Sequence, residues 1–422
     1  MHVLDIINYA LLGVFCLLYA YQAFYTIVVW VKKPPKKPQS APLKRYAVMV
    51  CGRNEAAVIR DLIGCIDNQT YPRDHLTVFV MADNCTDNTA EVAKAAGAIV
   101  YERNSTELVG KSYALEELIT HIGEDYPGQF DGYFVFDADN ILKTDYIEQM
   151  HLTLAAGNEI ATSYRNSKNY GSNWVSAAHG VWFLHESRYL NEARYTLHCS
   201  CAISGTGYVF TQKVLDELDG KWPFHFMTED VQFSAHQILH GRHIAYCPEA
   251  EFYDEQPLTF RQSYDQRKRW AKGNIEVFWH YKKDLIKGFF KGDFSCYDML
   301  MAAIPAFVLT SLSLIVMIAS LVVKLCSQTS FLDAILSVIV TFGGLYVSMI
   351  GLALITTITE WKKIYARTWQ KIVYLFSFPI FMLSYIFIVY VVMFKKVTWV
   401  PIVHTESVDS LKSRGEMHVK DY

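Results

Sequence analysis

The sequence predicts an α/β domain with a largely parallel sheet, joined to helices that are long enough to span a membrane. Between residues 43 and 257, short apolar runs alternate with stretches of helical periodicity, which is typical of a parallel sheet with helices on both faces. Outside this region the chain contains long apolar runs with almost no charge. Overall, 52% of the residues are hydrophobic and 19% are charged, a composition too apolar for an ordinary soluble protein.

The N-terminal apolar run, Val3 to Trp30, contains a single charged residue, Asp5. It is longer than the ~20 residues that cross the hydrocarbon core as a helix. No small-residue cleavage site follows it, so residues 1–31 are predicted to form a retained transmembrane helix. Residues 32–42 form a basic, proline-rich linker. Because positive charge flanks membrane helices on the cytoplasmic side, the next domain is expected in the cytoplasm and the protein in the plasma membrane.

Four apolar runs in the domain at residues 43–257 predict strands, and the predicted helices lie between them. Each predicted strand ends in polar residues or in a turn-forming segment, as strands in a sheet usually do. The predicted strands cover residues 46–51, 77–81, 98–101 and 133–136, and the predicted helices cover about residues 55–68, 87–96 and 111–122.

The C-terminal part of the chain predicts amphipathic and transmembrane helices. Residues 258–295 mix aromatic side chains with Lys and Arg, which is typical of amphipathic helices in the membrane interface. Residues 296–395 contain three apolar runs long enough to cross a membrane, Met299–Val323, Phe331–Ile358 and Ile372–Phe394. Three crossings would place the polar tail at residues 396–422 outside, but its K-K-V-T-W flank is typical of the cytoplasmic side. Residues 360–371 are also basic, so either one flank departs from the positive-inside tendency or one run does not cross fully. The segment from His404 to Tyr422 is expected to be interfacial or disordered.

Polar residues follow the first two predicted strands at the point where each strand ends. Arg53, Asn54 and Glu55 follow the first strand, and Asp83 follows the second. Because open α/β sheets bind ligands at the carboxyl ends of their strands, these residues predict a nucleotide site, with Asp83 accepting hydrogen bonds from a base or ribose. An Asx-rich helix cap is the structural alternative for the segment after Asp83.

The strand at residues 133–136 runs directly into Asp137 and Asp139. Residues i and i+2 lie on the same face of a strand, and two close carboxylates repel each other unless a cation binds near them. Mg²⁺ and Mn²⁺ prefer oxygen ligands, so this pair predicts a metal site. The alternative is a solvated turn that closes the strand.

Two further segments bring backbone groups or a cation towards a ligand. Lys111 opens a helix, where it either contacts a phosphate together with the helix N-terminus or is solvated. Ser204 to Gly207 reads S-G-T-G, which either permits close backbone approach to a ligand or forms an ordinary tight turn.

The last two motifs are acidic and basic. Thr228 to Asp230 reads T-E-D, which is either a helix N-terminus with acids in its first turn or contains a general base for a sugar hydroxyl. Gln266 to Trp270 reads Q-R-K-R-W, and its cations either bind anionic lipid head groups or contact a diphosphate. In the second case its tryptophan stacks on a sugar ring.

Taken together and in this order, the motifs resemble those of the membrane-integrated glycosyltransferases of family 2, which include cellulose, chitin, hyaluronan and poly-N-acetylglucosamine synthases. The resemblance covers about residues 43–280. The matching residues are Arg53-Asn54-Glu55, Asp83, Lys111, Asp137-Ala138-Asp139, Ser204-Gly205-Thr206-Gly207, Thr228-Glu229-Asp230 and Gln266-Arg267-Lys268-Arg269-Trp270.

The resemblance implies a GT-A fold with a mixed, mainly parallel sheet, and an inverting transfer of a hexose from UDP-glucose or UDP-N-acetylglucosamine. Asp230 is then the general base, next to Glu229, and Asp139 with Asp137 binds Mg²⁺ or Mn²⁺ on the diphosphate. The implied donor-binding residues are Arg53, Asn54, Glu55, Asp83, Lys111, Asp137, Gln266 and Arg269. The implied acceptor-binding residues are Ser204, Gly205, Thr206, Gly207 and Trp270.

Three hypotheses for the function follow from the resemblance. The leading one is extension of a β-linked polysaccharide at the membrane with translocation of the polymer, and the second is single transfer to a membrane lipid such as diacylglycerol or a polyprenyl phosphate. The third, an inactive scaffold, is disfavoured by the intact acidic residues. The chain has one predicted N-terminal span and no F-x-V-T-x-K gating segment after Trp270, which leaves processivity open. The expected partners are a UDP-sugar, a polysaccharide or lipid acceptor, membrane lipids and a second copy of the chain; the net charge of −3 argues against nucleic acid.

Overall fold

The computed structural model describes residues 3–303, 305–326, 331–398, 404 and 406–409. Its centre is an eight-stranded sheet with the strand order β3-β2-β1-β4-β7-β6-β8-β5. The strands are β1 (Tyr46–Gly52), β2 (Leu76–Asp83), β3 (Ile99–Arg103), β4 (Gly132–Asp137), β5 (Ile141–Leu142), β6 (Ile160–Ser167), β7 (Tyr208–Thr211) and β8 (Ile244–Asp254).

The described α-helices surround this sheet or extend away from it. They are α1 (Val3–Val31), α2 (Ile59–Asp67), α3 (Thr89–Ala95), α4 (Lys111–Asp125), α5 (Tyr146–Ala155), α6 (Trp174–His185), α7 (Glu192–Thr196), α8 (Gln212–Asp216), α9 (Glu229–Leu239), α10 (Phe260–Phe290), α11 (Phe294–Ala303), α12 (Pro305–Cys326), α13 (Phe331–Thr359), α14 (Thr368–Val373) and α15 (Phe378–Phe394). A π-helical turn at Glu186–Asn191 joins α6 to α7.

The sheet is mixed and mainly parallel, as the sequence predicts. Strand β1 pairs in parallel with β2 and β4, β2 with β3, and β6 with β8, whereas β7 and β5 pair antiparallel with their neighbours. The four predicted strands correspond to β1, β2, β3 and β4, with ends that differ by at most two residues. The predicted helix at about residues 55–68 starts later, at Ile59, because residues 55–58 form a turn that is tied to α3.

The sheet is covered on both faces, and this burial explains its continuous apolar strands. Met49 and Phe79 point into a core formed with α4 and α6. Val48 and Val80 point the opposite way, into a core formed with α2 and α5. The parallel pairing of β1 with β2 and β4 places the carboxyl ends of these strands at one edge, where the loops that follow them meet.

Among the described residues, two helices are long and apolar enough to cross a membrane, Ile6–Val31 and Phe342–Thr359. In the predicted run Met299–Val323, the structure describes helix up to Ala303 and again from Pro305, and residue 304 lies outside the described residues. The predicted run Ile372–Phe394 is broken. Helices α14 and α15 meet at an angle of 40°, with Pro379 in the first turn of α15, and they provide a third span only if the bent pair crosses together.

The predicted interface helices at residues 258–295 are mainly one long helix, α10, followed by the start of α11. Helix α10 begins with a capping box, in which Thr259 Oγ1 accepts a hydrogen bond from the backbone N–H of Gln262 at 3.2 Å. Gly273 lets α10 approach the rest of the domain closely, because a Cβ atom there would lie 2.3 Å from Thr228 Oγ1. The Q-R-K-R-W motif is therefore carried on a helix that is fixed against the T-E-D turn.

Candidate active site

The loops after β1 and β2 are bound to each other at the edge of the sheet. Asn54 adopts a left-handed conformation with a φ of 61°, and its side-chain oxygen accepts a hydrogen bond from the backbone N–H of Thr86 at 2.7 Å. Asp83 is buried and forms an ion pair with Arg103 at 2.7 Å. Arg53 is half-buried beside Asn54. The structure therefore places these three predicted donor residues on adjacent loops.

Glu55 is buried at the same edge and contacts a residue from the C-terminal tail. Both of its carboxylate oxygens lie 3.0 Å from His404 Nδ1. Burial raises the pKa of Glu55, and the contact with His404 opposes part of that rise. Burial also lowers the pKa of His404, but Asp139 and Glu55 outweigh this effect and raise it to about 10. His404 is thus a cation beside the acidic strand ends.

Lys111 connects the donor edge to the S-G-T-G loop. Its ammonium group donates hydrogen bonds to the Asp137 carboxylate and, at 2.8 Å, to the carbonyl oxygen of Gly205. Burial would lower the pKa of Lys111, but the negative charges of Asp137 and Glu229 raise it above its ordinary value. The lysine therefore remains charged between two motifs that are far apart in the sequence.

Asp139 is the more buried acid of the D-A-D motif. Its Oδ2 accepts a hydrogen bond from the backbone N–H of Glu255 at 2.6 Å. Burial alone would raise the pKa of Asp139, but His404 and Lys168 more than offset this and lower it below its ordinary value. Lys168 donates to the carbonyl oxygen of Asp139 at 3.1 Å and pairs with Glu255 at 3.4 Å. The carboxylate is therefore stabilised in its charged form.

The chemistry of these oxygen donors fits a hard divalent cation. Asp137 ends β4 with a side chain that is 35% exposed, and Asp139 follows two residues later with its carboxylate oriented by a backbone N–H group. Among the described residues, no three His, Cys, Asp or Glu side chains form a metal-binding group. A site with one or two carboxylates is nevertheless the usual arrangement for Mg²⁺ held jointly by protein and phosphate oxygens. Asp137 and Asp139 thus suit a cation that arrives with a diphosphate.

Glu229 and Asp230 occupy the first turn of α9, close to Lys111. Burial is the main cause that raises the pKa of Glu229 to about 7 and that of Asp230 to about 6. Lys111 opposes both shifts, and the backbone N–H of Gly205 donates to Asp230, which further stabilises the charged form. Thr228 sits at the N-cap position but makes no side-chain capping bond. A carboxylate that titrates near neutral pH is suited to take a proton from a hydroxyl group.

The S-G-T-G loop lies between the two acidic pairs. Gly205 and Gly207 have φ angles of 80° and 67°, and a Cβ atom on Gly207 would lie 2.3 Å from the ring of Phe252. Thr206 Oγ1 accepts a hydrogen bond from the backbone N–H of Asp137 at 2.8 Å. Ser204 donates to Glu186 at 2.7 Å. The glycines are therefore required by the backbone, and the loop is bonded to β4.

The residues of the Q-R-K-R-W motif point in different directions from α10. Burial lowers the pKa of Arg269, and the negative charges of Glu229 and Asp137 oppose this effect. The ring of Trp270 lies 5.7 Å from that of His179 and 5.9 Å from that of Phe183. Gln266 is half-buried one turn before Trp270. Arg269 is thus brought to the donor edge, and Trp270 lies among the aromatic side chains of α6.

Arg267 points into the fold, so it is not available to lipid head groups, which were the alternative ligands of the cations in this motif. Arg267 is fully buried, and its Nη1 donates to the carbonyl oxygen of Phe381 and to Ser384 Oγ, both at 2.8 Å. Lys268 pairs with Asp265 at 2.6 Å. Arg267 therefore attaches α10 to α15.

Several charged residues at the site were not identified from the sequence. They are Arg103, Arg165, Lys168, Asp254, Glu255 and His404. Arg103 follows a predicted strand, and Asp254 and Glu255 follow the apolar end of β8, so the rule that polar residues at strand ends line the site could have found these three. The sequence carries no comparable signal for Lys168 or His404, which reach the site through tertiary contacts.

The described residues of the tail, 404 and 406–409, lie on the α/β domain, unlike the interfacial or disordered tail predicted from His404 onwards. In addition to the contact of His404, the backbone N–H of Glu406 donates to Glu255 at 2.9 Å. The backbone N–H of Val408 donates to Asp61 at 2.8 Å. The tail is held because acidic side chains at the carboxyl edge accept these hydrogen bonds.

The fold is that of the GT-A glycosyltransferases. A mannosyltransferase of Pyrobaculum calidifontis, solved in complex with GDP-Man and Mn²⁺, superposes with a TM-score of 0.58 over 90% of this chain and 98% of its own, at 17% sequence identity. The chain belongs to glycosyltransferase family 2, since the model of that family, described as "Glycosyltransferase like family 2", matches residues 42–273, more than half of the chain.

Three relatives show the range of activities found among similar sequences. The probable glycosyltransferase YdaM of Bacillus subtilis is 22% identical, over 58% of this chain and 58% of its own. A β-monoglucosyldiacylglycerol synthase of Trichormus variabilis is 24% identical, over 74% of this chain and 66% of its own. A poly-β-1,6-N-acetyl-D-glucosamine synthase of Staphylococcus epidermidis is 27% identical, over 58% of this chain and 58% of its own. The chain thus spans between half and two thirds of the length of each of these relatives.

Proposed function

We propose that the protein is an inverting hexosyltransferase that uses a UDP-sugar at the cytoplasmic side of the plasma membrane. The observation that carries this proposal is the position of Asp230, a buried carboxylate whose pKa is raised to about 6. Asp230 interacts with the N–H group of Gly205, and the carbonyl oxygen of the same residue accepts a hydrogen bond from Lys111. A proton acceptor and a cation that suits a diphosphate thus lie on either side of one short loop. The mannosyltransferase of similar fold was solved with GDP-Man, which supports a nucleotide-sugar as the class of donor.

In the proposed mechanism, Asp230 accepts the proton of the acceptor hydroxyl as that oxygen attacks the anomeric carbon of the donor sugar. The departing diphosphate gains negative charge, which Lys111 and Arg269 offset electrostatically. Asp137 and Asp139 would hold Mg²⁺ or Mn²⁺, which supplies further charge neutralisation on the diphosphate when bound. Attack from the side opposite the leaving group inverts the configuration at the anomeric carbon.

The donor and acceptor are proposed to bind on opposite sides of the S-G-T-G loop. Arg53, Asn54, Glu55 and Asp83 lie on the loops that would contact the nucleotide, with Gln266 as a further donor contact. Ser204, Gly205, Thr206 and Gly207 would line the acceptor side together with Trp270. The contacts of Lys111 with both Asp137 and Gly205 support a donor site next to this loop.

For the acceptor, we propose first a growing β-linked polysaccharide that the protein extends and moves across the membrane. Trp270 supports this choice, because it lies on the helix that packs against the T-E-D turn and an aromatic side chain suits a sugar ring. The wall formed by Phe183 and His179 continues the aromatic surface. The polysaccharide synthase among the relatives is consistent with this acceptor.

A lipid acceptor is a second candidate, and a groove beside α1 favours it. The groove has a volume of about 470 Å³ and is lined mainly by apolar side chains, including Phe24 of α1, Leu197 after α7 and Phe294 of α11. Because α1 is long enough to span a membrane, this groove suits an acyl chain that enters from the bilayer. The glucosyldiacylglycerol synthases among the relatives support this candidate.

The proposal is tested with the protein purified in nanodiscs, supplied with Mg²⁺ or Mn²⁺ and a panel of UDP-sugars. We expect UDP release with one donor, and loss of that release in the Asp230→Asn variant. A product that grows with time and stays in the aqueous phase identifies a polysaccharide, whereas a product extracted into organic solvent after a single addition identifies a glycolipid. Equal UDP release by both proteins would contradict the role of Asp230.

A further inference from the structure

Arg165, near the end of β6, is held at three points by residues of the site. Its Nε donates to Asp254 Oδ2 at 2.9 Å, and its Nη2 donates to the same oxygen. Its Nη1 donates to the carbonyl oxygen of Ser204 at 2.6 Å. The centre of the guanidinium lies 3.6 Å from the centroid of the Phe183 ring. A planar group with three such contacts has one orientation, which a lysine cannot reproduce.

The contact with Ser204 matters because of the peptide bond that follows it. The carbonyl group of Ser204 and the N–H group of Gly205 belong to the same planar, trans peptide unit, in which they point in opposite directions. Arg165 binds this unit on the carbonyl side. Asp230 lies on the other side, where a Cβ atom on Gly205 would be 4.0 Å from its Oδ2 and where the Gly205 N–H group stabilises the charged carboxylate. The orientation of the guanidinium therefore sets the direction in which the Gly205 N–H group points.

A second contact of Arg165 leads to the Q-R-K-R-W helix. The ring of Phe183, on which the guanidinium stacks, makes an edge-to-face contact with Trp270 at a centroid distance of 5.9 Å. Edge-to-face aromatic pairs have a preferred geometry, so the position of one ring constrains the other. Arg165 is therefore in contact, through one intermediate group each, with Asp230 and with Trp270.

We propose that Arg165 is a positioning residue of the transfer site, which fixes the Ser204–Gly205 peptide against Asp230 and the Phe183 ring against Trp270. The proposal rests on the proposed role of Asp230 as the general base. Asp254 is part of the same device, because its carboxylate holds the guanidinium in the orientation that reaches Ser204. Arg165 itself touches no part of the donor in this assignment.

The first experiment compares Arg165→Lys with Arg242→Lys in the full-length protein in nanodiscs. Arg242 is a matched control, because it is similarly buried and bonds Glu159, Glu217 and Gln237. Hydrogen exchange at the Gly205 amide is the first measurement. We expect exchange at least ~10-fold faster in Arg165→Lys and unchanged in Arg242→Lys, because only the first substitution frees the peptide that bonds Asp230.

The second measurement is the pH dependence of kcat/KM for transfer. Loss of the Gly205 hydrogen bond removes an interaction that favours the charged form of Asp230, so the acid limb should move to higher pH in Arg165→Lys. The unmodified protein and the Arg165→Lys variant carry the same charge at position 165. A merely structural role of Arg165 would therefore lower the rate without moving the acid limb. An unchanged limb together with unchanged Gly205 exchange would overturn the proposal.

Asp254→Asn keeps the proposal testable if Arg165→Lys does not fold. This near-isosteric change weakens the support of the guanidinium and leaves Arg165 in place, so Gly205 exchange should again accelerate. Protection of Gly205 equal to that of the unmodified protein would contradict the proposal. Hydrogen exchange requires no turnover. If the protein transferred no sugar, the proposed function would be refuted, but exchange at Gly205 would still decide whether Arg165 holds the Ser204–Gly205 peptide.

Discussion

Two acidic pairs lie within one site, and their environments affect them in opposite ways. Asp139, in the D-A-D motif, is buried but has His404 and Lys168 nearby, and its pKa is lowered. Glu229 and Asp230 are equally enclosed, but burial dominates there and raises their pKa values to about 7 and 6. Residue type alone does not decide the function of a carboxylate. The surrounding charge suits the first pair for holding cations and the second pair for exchanging a proton.

The largest expected effect comes from removing the proton acceptor of the second pair. Asp230→Asn should lower the transfer rate by about 10³-fold, because a positioned general base contributes on this order. Binding of the donor nucleotide, measured by calorimetry, should be retained, since Asp139 and Lys111 are untouched. Thermal unfolding should shift to higher temperature, because the substitution removes a charge that burial disfavours. A rate within about tenfold of the unmodified protein would assign the base elsewhere.

Replacement of Asp139, in the D-A-D pair, should lower activity by weakening the binding of the divalent cation. Asp139→Asn should weaken the apparent affinity for Mn²⁺ by at least ~10-fold, and added Mn²⁺ should restore part of the rate. The control is Asp145→Asn, because Asp145 pairs with Lys143 at the surface at 3.5 Å. Titration of the transfer activity with Mn²⁺ distinguishes the Asp139→Asn variant from the Asp145→Asn control. If added Mn²⁺ restores nothing and donor affinity is unchanged, Asp139 acts in some other way than by holding a cation.

Gly273→Ala lies outside both acidic pairs and should disturb only the pair formed by Glu229 and Asp230. In Gly273→Ala, the new Cβ atom would lie 2.3 Å from Thr228 Oγ1 and 2.6 Å from its backbone nitrogen, so α10 must move away from the T-E-D turn. We expect kcat to fall by about 10-fold to 100-fold, because small displacements of catalytic groups have effects of this size. Metal affinity should be unchanged, and a change in metal affinity would show that α10 also supports the first pair.

Gly64→Ala is the matched control for this experiment. Gly64 lies in α2, and an added Cβ atom there meets nothing within 4 Å. Alanine is favoured over glycine in a helix interior by about 1 kcal/mol, so this variant should be fully active and slightly more stable. A loss of activity in Gly64→Ala equal to that of Gly273→Ala would point to a general loss of stability.

The smallest effect expected is a change in the pH profile. Because Asp230 must be deprotonated to accept a proton, and its pKa is raised to about 6, kcat/KM should fall as pH decreases below about 6. The decrease should approach about tenfold per pH unit at saturating Mn²⁺. The measurement is the initial rate at low substrate concentration across this range. A profile that stays flat to pH values near the ordinary pKa of an aspartate would contradict the burial of Asp230.

The sequence predicts the parts of this site that depend on local pattern. The strands β1, β2 and β4 appear as continuous apolar runs because both faces of the sheet are buried, and the motif residues follow directly from the strand ends. The pairing of Lys111 with Asp137 and Gly205 could not be predicted, because it joins three segments through tertiary structure. The same holds for Arg165 and for His404, whose neighbours are distant in the chain.

The apolar helices of the C-terminal part differ from the sequence prediction for another reason. Hydropathy identifies the apolar run Ile372–Phe394 but not its break, which lies next to Pro379 in the first turn of α15. A proline lacks the N–H group that a helix interior needs, so its position was a usable signal. The bend between α14 and α15 depends in addition on packing against α6 and α13, which the sequence does not report.

The contact between His404 and Glu55 has a consequence for biosynthesis. Glu55 lies in the first loop of the α/β domain, whereas His404 is translated 349 positions later, after the described apolar helices. The sheet can form while the ribosome is still making those helices, but its carboxyl edge acquires this cation only when His404 has left the exit tunnel. The acidic edge would therefore be completed only after the helices that accompany it have been made.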